Sequence, residues 1–390
     1  ICLENIIAAE EAGATCLNYT EVTELIKDGE QITQLVCEDK LTGEPFTIQG
    51  NDNTVIINTS GPWVDEVCQR GQIGENRKIG GTKGSHIIVP HFSGAPDTAL
   101  YVEAKSDGRP FFIVPWLGMY LIGTTDLRFQ GDLDQVKADN DEIDYLLQET
   151  NLIIPSAQLT REDVKFTYSG VRPLPYTEGK KAGSVTRKHI LHDHSAEGVK
   201  NLISLIGGKL TTFRHVAEEL VDTVCQKQQG KTPACPTLKT PLPGAIVPSD
   251  DRVTEAVKTY RDRVSLPSLD HLFTLYGARA IEVLKLIDES PDLAEKITPE
   301  LPDLKAQIVY AVRHESAHTF VDILRRRTTI AMQLNYGLGV LPVVSEVLAK
   351  HCSWRDRACD RARQDYYNYM EKNCIPDYVL SQKQLTMSKQ

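Results

Sequence analysis

Residues 201–214 read Asn-Leu-Ile-Ser-Leu-Ile-Gly-Gly-Lys-Leu-Thr-Thr-Phe-Arg, and this stretch decides the fold. Leu202–Ile206 is a short apolar run of the buried-strand type. It runs into the Gly207-Gly208 pair and Lys209. A helix is predicted to start at Thr211 or Thr212 and to reach about Gln229. Free backbone N–H groups, a helix N-terminus and a cation therefore meet at one point, and such a point attracts negative charge. A nucleotide P-loop is excluded, because that motif needs glycine where Ile203 stands and Ser or Thr where Leu210 stands. The anion expected here is of another kind.

Outward from this stretch the chain divides into a strand-rich part and a helical part. Residues 1–12 read as a helix stopped by Gly13. Short alternating runs follow, broken by Asp28-Gly29, Leu41-Thr-Gly43 and Asn51-Asp-Asn53, the pattern of a β-meander. Thr54–Ile57 is predicted as a buried strand ending at the Ser60-Gly61-Pro62 turn. Four strand candidates, His86–Pro90, Ala99–Ala104, Phe111–Trp116 and Tyr120–Thr124, predict an antiparallel sheet. Asp139–Asn151 is an amphipathic helix with a capping signal, and Val164–Tyr168 is a further strand. Five prolines between Lys231 and Pro248 mark a linker. Beyond it, apolar spacings of three and four in 253–264, 278–288, 303–333 and 341–350 predict a separate all-α domain. The expected division is 1–230, a linker over 231–250, and 251–390.

Composition sets outer limits. A chain of 390 residues can bury two or three cores. A net charge of −10 argues against a general nucleic-acid binder. Nine scattered cysteines without C-x-x-C suit a reducing compartment, with Cys352 and Cys359 seven apart on one predicted helix and packed in a core. The longest apolar runs, such as Phe111–Trp116, fall far short of a bilayer span, and no signal peptide is recognisable. The chain starts Ile-Cys, which reads as a fragment.

Three further stretches accompany the first: Asn58-Thr-Ser-Gly-Pro-Trp63, Lys83-Gly-Ser-His86 and Tyr168-Ser-Gly-Val-Arg-Pro-Leu174. With Ile122-Gly-Thr-Thr-Asp126 and Gly207-Gly-Lys-Leu-Thr-Thr-Phe-Arg214, all in that order, the chain resembles the FAD-dependent glycerol-3-phosphate dehydrogenases of the aerobic, quinone-linked type. The resemblance covers residues 1 to about 230 and returns more weakly in the helical tail. It implies an α/β (α+β) FAD-dependent oxidoreductase fold: a partial nucleotide-binding layer, an antiparallel substrate sheet and an all-α C-terminal domain. It also implies oxidation of sn-glycerol 3-phosphate to dihydroxyacetone phosphate, with electrons passed to a quinone, or to oxygen in a close relative. The implied setting is cytoplasmic, peripheral on the inner face of a membrane, with a homodimer as a further expectation and no nucleic-acid partner. The G-x-G-x-x-G fingerprint that opens such enzymes does not occur here; the nearest approach is Gly337-Leu-Gly339. The expectation is that the segment for the ADP half of FAD is missing and that this chain alone binds FAD weakly.

Residue by residue, the resemblance implies flavin contacts at Thr59, Ser60 and Gly61 and at Gly207, Gly208, Lys209, Leu210 and Thr211. The anion at the latter point is then a substrate phosphate or the electron-rich edge of reduced flavin. Arg172, Arg187 and Lys209 match positions that hold the substrate phosphate, a dianion suited to planar guanidiniums and a point-charge ammonium. His86 is expected beside the flavin as a candidate proton acceptor, with Arg172 assisting, and Tyr168 and Asp126 are expected to line the site.

Two patterns point elsewhere. His314-Glu-Ser-Ala-His318 matches the H-E-x-x-H zinc signature, which would make the chain a hydrolase; a helix of the tail domain explains it more simply, and no metal is expected. His189, His192 and His194 lie in a polar stretch and read as solvated. Arg325-Arg-Arg327 reads as a solvated helix face. A non-catalytic fragment whose helical tail serves association is the remaining alternative.

Overall fold

The antiparallel sheet at the centre of the molecule is covered on one face by a helix and on only part of the other by the helical segment of the chain, and this decides where a site can open. The structure, a computed structural model, describes residues 1–179, 185–246 and 251–381. Pro248 of the linker and the last residues of the helical tail lie outside that set.

Helix α1 (Cys2–Glu11) ends before Gly13 and leads into the meander β1 (Thr20–Asp28), β2 (Gln31–Asp39) and β3 (Pro45–Gln49). The short strand β4 (Ile56–Asn58) is followed by a 3-10 turn at Gly61–Trp63 and by α2 (Val64–Arg70). Ile57 is 38% exposed, so β4 is not the buried strand expected of it.

The central sheet is built from β5 (Thr82–Val89), β6 (Leu100–Glu103), β7 (Pro110–Trp116), β8 (Met119–Gly123), β9 (Leu127–Arg128) and β10 (Phe166–Arg172). Its order is β10-β5-β8-β7-β6, with β9 beside β5. Alternation along β5 sends Ile87 and Val89 to one face and His86 and Ile88 to the other. The first face packs on α3 (Asn140–Ile153) through Ile143, Leu146 and Leu147. A capping box of Asp139 and Glu142 starts α3, as the sequence led one to expect. Lys83 lies under the same helix, in ion pairs with Asp139 at 2.7 Å and Glu142 at 2.8 Å. It therefore braces the fold, although it belongs to a motif with His86.

The strands β11 (Ile190–Asp193) and β12 (Leu202–Ile206) form a third sheet with β4, in which β12 and β4 run parallel. A 3-10 turn at Leu210–Thr212 precedes α4 (Phe213–Lys227). The helical part comprises α5 (Asp251–Tyr260), α6 (Leu266–Tyr276), α7 (Ala280–Glu289), α8 (Lys305–His314), a π-helical segment at Asp322–Arg327, α9 (Leu341–His351) and α10 (Asp356–Asn373). Cys352 follows α9 and Cys359 lies in α10, so the two do not share one helix.

The helical part packs directly on the sheet. Ile88 and Phe166 of the sheet are fully buried in the same core as Leu284, Phe320 and Tyr366 of the helices. Burial of such side chains stabilises by about 1.5–3 kcal/mol each. Thr167 also donates to the carbonyl of Cys374 at 2.8 Å, and Lys137 pairs with Asp377 at 2.7 Å.

Candidate active site

The face of the sheet that enters the helical core does not stay covered along its whole length. Along β10 that face carries Phe166, Tyr168, Gly170 and Arg172; opposite them on β5 stand Ile88, His86, Gly84 and Thr82. The row passes from apolar and buried to polar and partly open. His86 and Tyr168 sit midway, their rings parallel within 9° and 4.8 Å apart. The other cross-strand neighbour of His86 is Gly123, and a side chain there would collide with the imidazole.

His86 Nδ1 is buried and has no hydrogen-bond partner among the described residues. Burial, and then the positive charge of Arg172, push its pKa down from 6.5 to about 4. The ring is therefore neutral at pH 7 and keeps a lone pair or a proton for something other than the protein. Burial raises the Tyr168 phenol, with the charge of Arg325 from the π-helical segment acting against it.

Arg172 lies at the end of β10, in extended strand rather than in a turn. Its Nη1 donates to Asp126 Oδ1 at 3.1 Å and its Nη2 to Thr124 Oγ1 at 3.2 Å. The guanidinium crosses Gly84, where a Cβ would stand 2.5 Å from Nη2 and from Thr124 Oγ1. Gly84→Ala should displace it, at a cost of about 1–3 kcal/mol in overpacking. The expected result is binding of a phosphate monoester weakened roughly tenfold; unchanged binding would mean that Arg172 does not meet the anion.

Arg187 is exposed, and its charge reaches Arg172, as does that of Arg109. Arg109 was not anticipated from the sequence. It stands just before β7 and donates to the carbonyl of Asp126; its only local signal is a turn glycine, Gly108, before it. Asp126 offsets part of the repulsion among these three cations, and a bound anion would offset more.

The glycine pair closes this group. Gly207 and Gly208 both have positive φ, 73° and 94°. At Gly207 a Cβ would stand 2.9 Å from the Lys188 carbonyl and 3.3 Å from Pro175 Cδ. Only glycine allows that approach. It seats the loop against both the Arg187–Lys188 stretch and the chain leaving Arg172. Lys209 precedes the 3-10 turn with its side chain in solvent, and Leu210 is 69% exposed.

On the other side of β12, register pairs Ser204 with Asn58. Asn58 is buried; its Oδ1 accepts from Ser60 N at 3.3 Å and Ser60 Oγ at 2.6 Å, and its Nδ2 donates to the Val64 carbonyl at 3.2 Å. These bonds shape the Thr59-Ser60-Gly61 turn. The turn and Gly207-Gly208 both leave the carboxyl ends of the two parallel strands, which is where ligands bind in such sheets.

His192, His194 and Glu197 are, among the described residues, a group whose ligand atoms lie close enough for a metal. Their bonds are already made. His194 is fully buried between Glu197 Oε2 at 2.5 Å and Ser204 Oγ at 2.8 Å, and Lys78 approaches Glu197 at 3.3 Å. They are thus held in a hydrogen-bonded cluster rather than solvated as expected, and the ammonium opposes a cation. His189 instead bonds Glu219 at 2.6 Å.

H-E-x-x-H does not lie on one helix. α8 stops at His314, Ser316 has φ 50°, and Ala317 N closes back on the Ala311 carbonyl at 3.0 Å. His314 stacks on Tyr310 at 4.9 Å, and His318 meets Tyr19 at 5.8 Å. The helix that would present both imidazoles together ends between them. Elemental analysis of the purified chain should find no stoichiometric zinc; one zinc per chain, lost in His314→Ala, would contradict this.

Residues 1–214 match the protein family described as FAD dependent oxidoreductase, and residues 235–359 match the C-terminal domain of alpha-glycerophosphate oxidase. The chain belongs to the FAD-dependent oxidoreductase family. Over 387 residues, 97% of its length, it is 57% identical to the glycerol-3-phosphate dehydrogenase of Synechocystis sp., of which it spans 70%. It is 29% identical over 366 residues to the aerobic glycerol-3-phosphate dehydrogenase of Staphylococcus saprophyticus, and spans 63% of that relative. The crystal structure of the glycerol-3-phosphate dehydrogenase from Bacillus halodurans complexed with FAD superposes with a TM-score of 0.79 at 28% identity, covering 95% of this chain and 72% of that one.

The residues of this oxidoreductase fit the flavin end of FAD. Gly61 has open space before it, with no atom within 4 Å of where a Cβ would stand. The two turns converge from neighbouring strand ends, and the exposed Leu210 and Phe213 offer apolar contact beside them. Thr59, Ser60, Gly61, Gly207, Gly208, Lys209, Leu210 and Thr211 are the residues that could hold it.

Proposed function

We propose that this chain carries the substrate-binding and flavin-facing parts of an enzyme that oxidises sn-glycerol 3-phosphate to dihydroxyacetone phosphate. What chiefly supports this reading is the guanidinium of Arg172, which shares its surroundings with Arg187 and Arg109 a short way along one sheet face from an imidazole whose Nδ1 has no partner. The arginines suit a phosphate dianion. The imidazole suits the hydroxyl proton that must leave when an alcohol becomes a ketone.

FAD, when bound, supplies the acceptor for the hydride from C2. The protein's own residues do the rest. Arg172 and Arg187 hold the phosphate, with Arg172 oriented by Asp126 and Thr124. Lys209, from the glycine loop, contributes a further positive charge. Tyr168 and Gly123 fix the plane of the His86 ring. His86 Nδ1 takes the C2 hydroxyl proton. The pKa of about 4, set first by burial and then by Arg172, is low for a base in the free protein; a phosphate dianion offsets the smaller, Arg172 contribution when substrate binds.

For the electron acceptor we favour a quinone over oxygen, on the ground that the relatives named above are called dehydrogenases. Quinone use entails contact with a membrane surface, from the cytoplasmic side. No described helix is long and apolar enough to cross a membrane, so that contact would be peripheral. Anaerobic reduction of the FAD-loaded enzyme by glycerol 3-phosphate tests the reading. Bleaching of the flavin, followed by reoxidation much faster with a soluble quinone than with air, is expected. No bleaching would refute the substrate, and faster reoxidation by air would favour the oxidase.

A further inference from the structure

A second concave site lies away from the flavin face, where Tyr19 at the start of the meander meets the helical part. It is a cleft of about 920 Å³, in the range of small-molecule sites. None of His86, Tyr168, Arg172 or the two flavin-side turns lines it.

Its charge is out of keeping with an acidic chain. Arg326, Arg355, Arg357 and Arg361 line it, against the single carboxylate of Asp365. Arg326 is tied to Asp322 at 2.8 Å. For Arg355, Arg357 and Arg361 no ion pair is found among the described residues. Elsewhere, exposed arginines meet carboxylates: Arg161 with Asp144 at 2.5 Å, Arg263 with Asp288 at 2.8 Å, Arg313 with Glu289 at 2.8 Å. Arg357 and Arg361 are one turn apart on α10, a spacing at which like charges repel. An anion between them would relieve that repulsion.

The walls are aromatic and braced from behind. Trp354 stacks on the fully buried Phe320, with rings 6.1 Å apart at 27°. The hydroxyl of Tyr369 accepts from Arg325 at 2.9 Å. The Tyr19 hydroxyl donates to Asp322 at 2.8 Å, the same carboxylate that accepts from His318 N and Thr319 N. Side chains held in this way lose little freedom when a ligand arrives. Among the large apolar side chains of the lining, Leu41 is the exposed one. A surface that dips into lipid needs a broad apolar face, which this rim lacks.

We propose that this cleft binds a soluble organic polyphosphate with a flat ring system, of the nucleoside di- or triphosphate class. Arg355, Arg357 and Arg361, with no ion pair among the described residues, take the phosphate chain, and the ring lies against Trp354 and Tyr369.

The test is titration of the full chain with ATP, adenosine and inorganic pyrophosphate at low salt, followed by calorimetry. Saturable binding of ATP is expected, with pyrophosphate weaker and adenosine undetectable. Arg357→Gln/Arg361→Gln, exposed changes on one helix, should weaken ATP by at least about tenfold without altering the thermal melt. Trp354→Leu should bring ATP down toward pyrophosphate while leaving pyrophosphate unchanged. His86→Gln and Arg172→Ala should leave ATP binding intact, which separates this site from the flavin face. Absence of saturable ATP binding by the folded chain overturns the proposal, as does ATP binding that survives the double substitution. Arginine-dependent capture by vesicles of equal parts phosphatidylglycerol and phosphatidylcholine, without ATP binding, would make the cleft a membrane contact and also overturn it.

Discussion

His86→Gln in the FAD-loaded enzyme should lower kcat about 100- to 10,000-fold, the usual contribution of a general base. KM for glycerol 3-phosphate should change little, because the phosphate contacts lie further along the sheet face. The expectation rests on a buried Nδ1 without a partner and on a ring plane set by Tyr168 and Gly123. A kcat within threefold of the parent, roughly 0.65 kcal/mol, would remove His86 from the chemistry. The same variant reports on stability. The unfolded imidazole titrates near 6.5 and the folded one near 4. Between those values the unfolded chain binds the extra proton, so stability from the neutral ring is complete above pH 6.5 and is lost as the pH falls toward 4. The loss is on the order of 3 kcal/mol. Urea denaturation of parent and variant should show the parent losing more stability than the variant between pH 7 and pH 5. A difference that stays constant would mean an imidazole of ordinary pKa.

Arg172→Ala should lower kcat/KM for glycerol 3-phosphate by about 2–4 kcal/mol, roughly 30- to 900-fold, as when one partner of a desolvated charge pair is removed. Turnover of unphosphorylated glycerol should hardly change, since it has no dianion to lose. Two consequences follow from the geometry. Asp126 loses its guanidinium partner at 3.1 Å, so part of the loss belongs to a stranded carboxylate. In the parent, added phosphite should speed turnover of glycerol by occupying the arginine site. Equal losses on both substrates, without anion stimulation, would place Arg172 at the flavin instead of the phosphate.

Much of this arrangement was legible in the chain. Leu202–Ile206 is a strand with the bounds read from its apolar run, and the glycine pair after it adopts the positive φ that its close approach demands. The capping box at Asp139 and Glu142 announced α3 because its chemistry is local. Local signals failed where the cause was tertiary. Arg109 reaches the Asp126 carbonyl only because β7 and β8 pair, and nothing near it in sequence encodes that. Helix periodicity over 303–333 ran through a real break, because the closure from Ala317 to Ala311 and the buried Glu315 lie off the apolar stripe. Burial, helped by the charge of Glu4 and opposed by that of Arg327, raises the Glu315 carboxyl to about 7, an environment no sequence pattern shows. That the helical part packs on the sheet was not legible either, since Ile88 and Phe166 look like any strand residues until their face is known. Lys83 shares a motif with His86 but alternates to the opposite face, where it braces α3.

The central claim is that Arg172 and Arg187 clamp one phosphate beside His86, and a double-mutant cycle on kcat/KM tests it most directly. Groups that hold the same dianion act as a unit, so their losses do not add. Arg172→Ala and Arg187→Ala should each be costly. The double variant should lose clearly less than the sum, with a coupling of about 0.5–3 kcal/mol. Strictly additive losses would mean that the two arginines never share a phosphate, and the account of this site would fail.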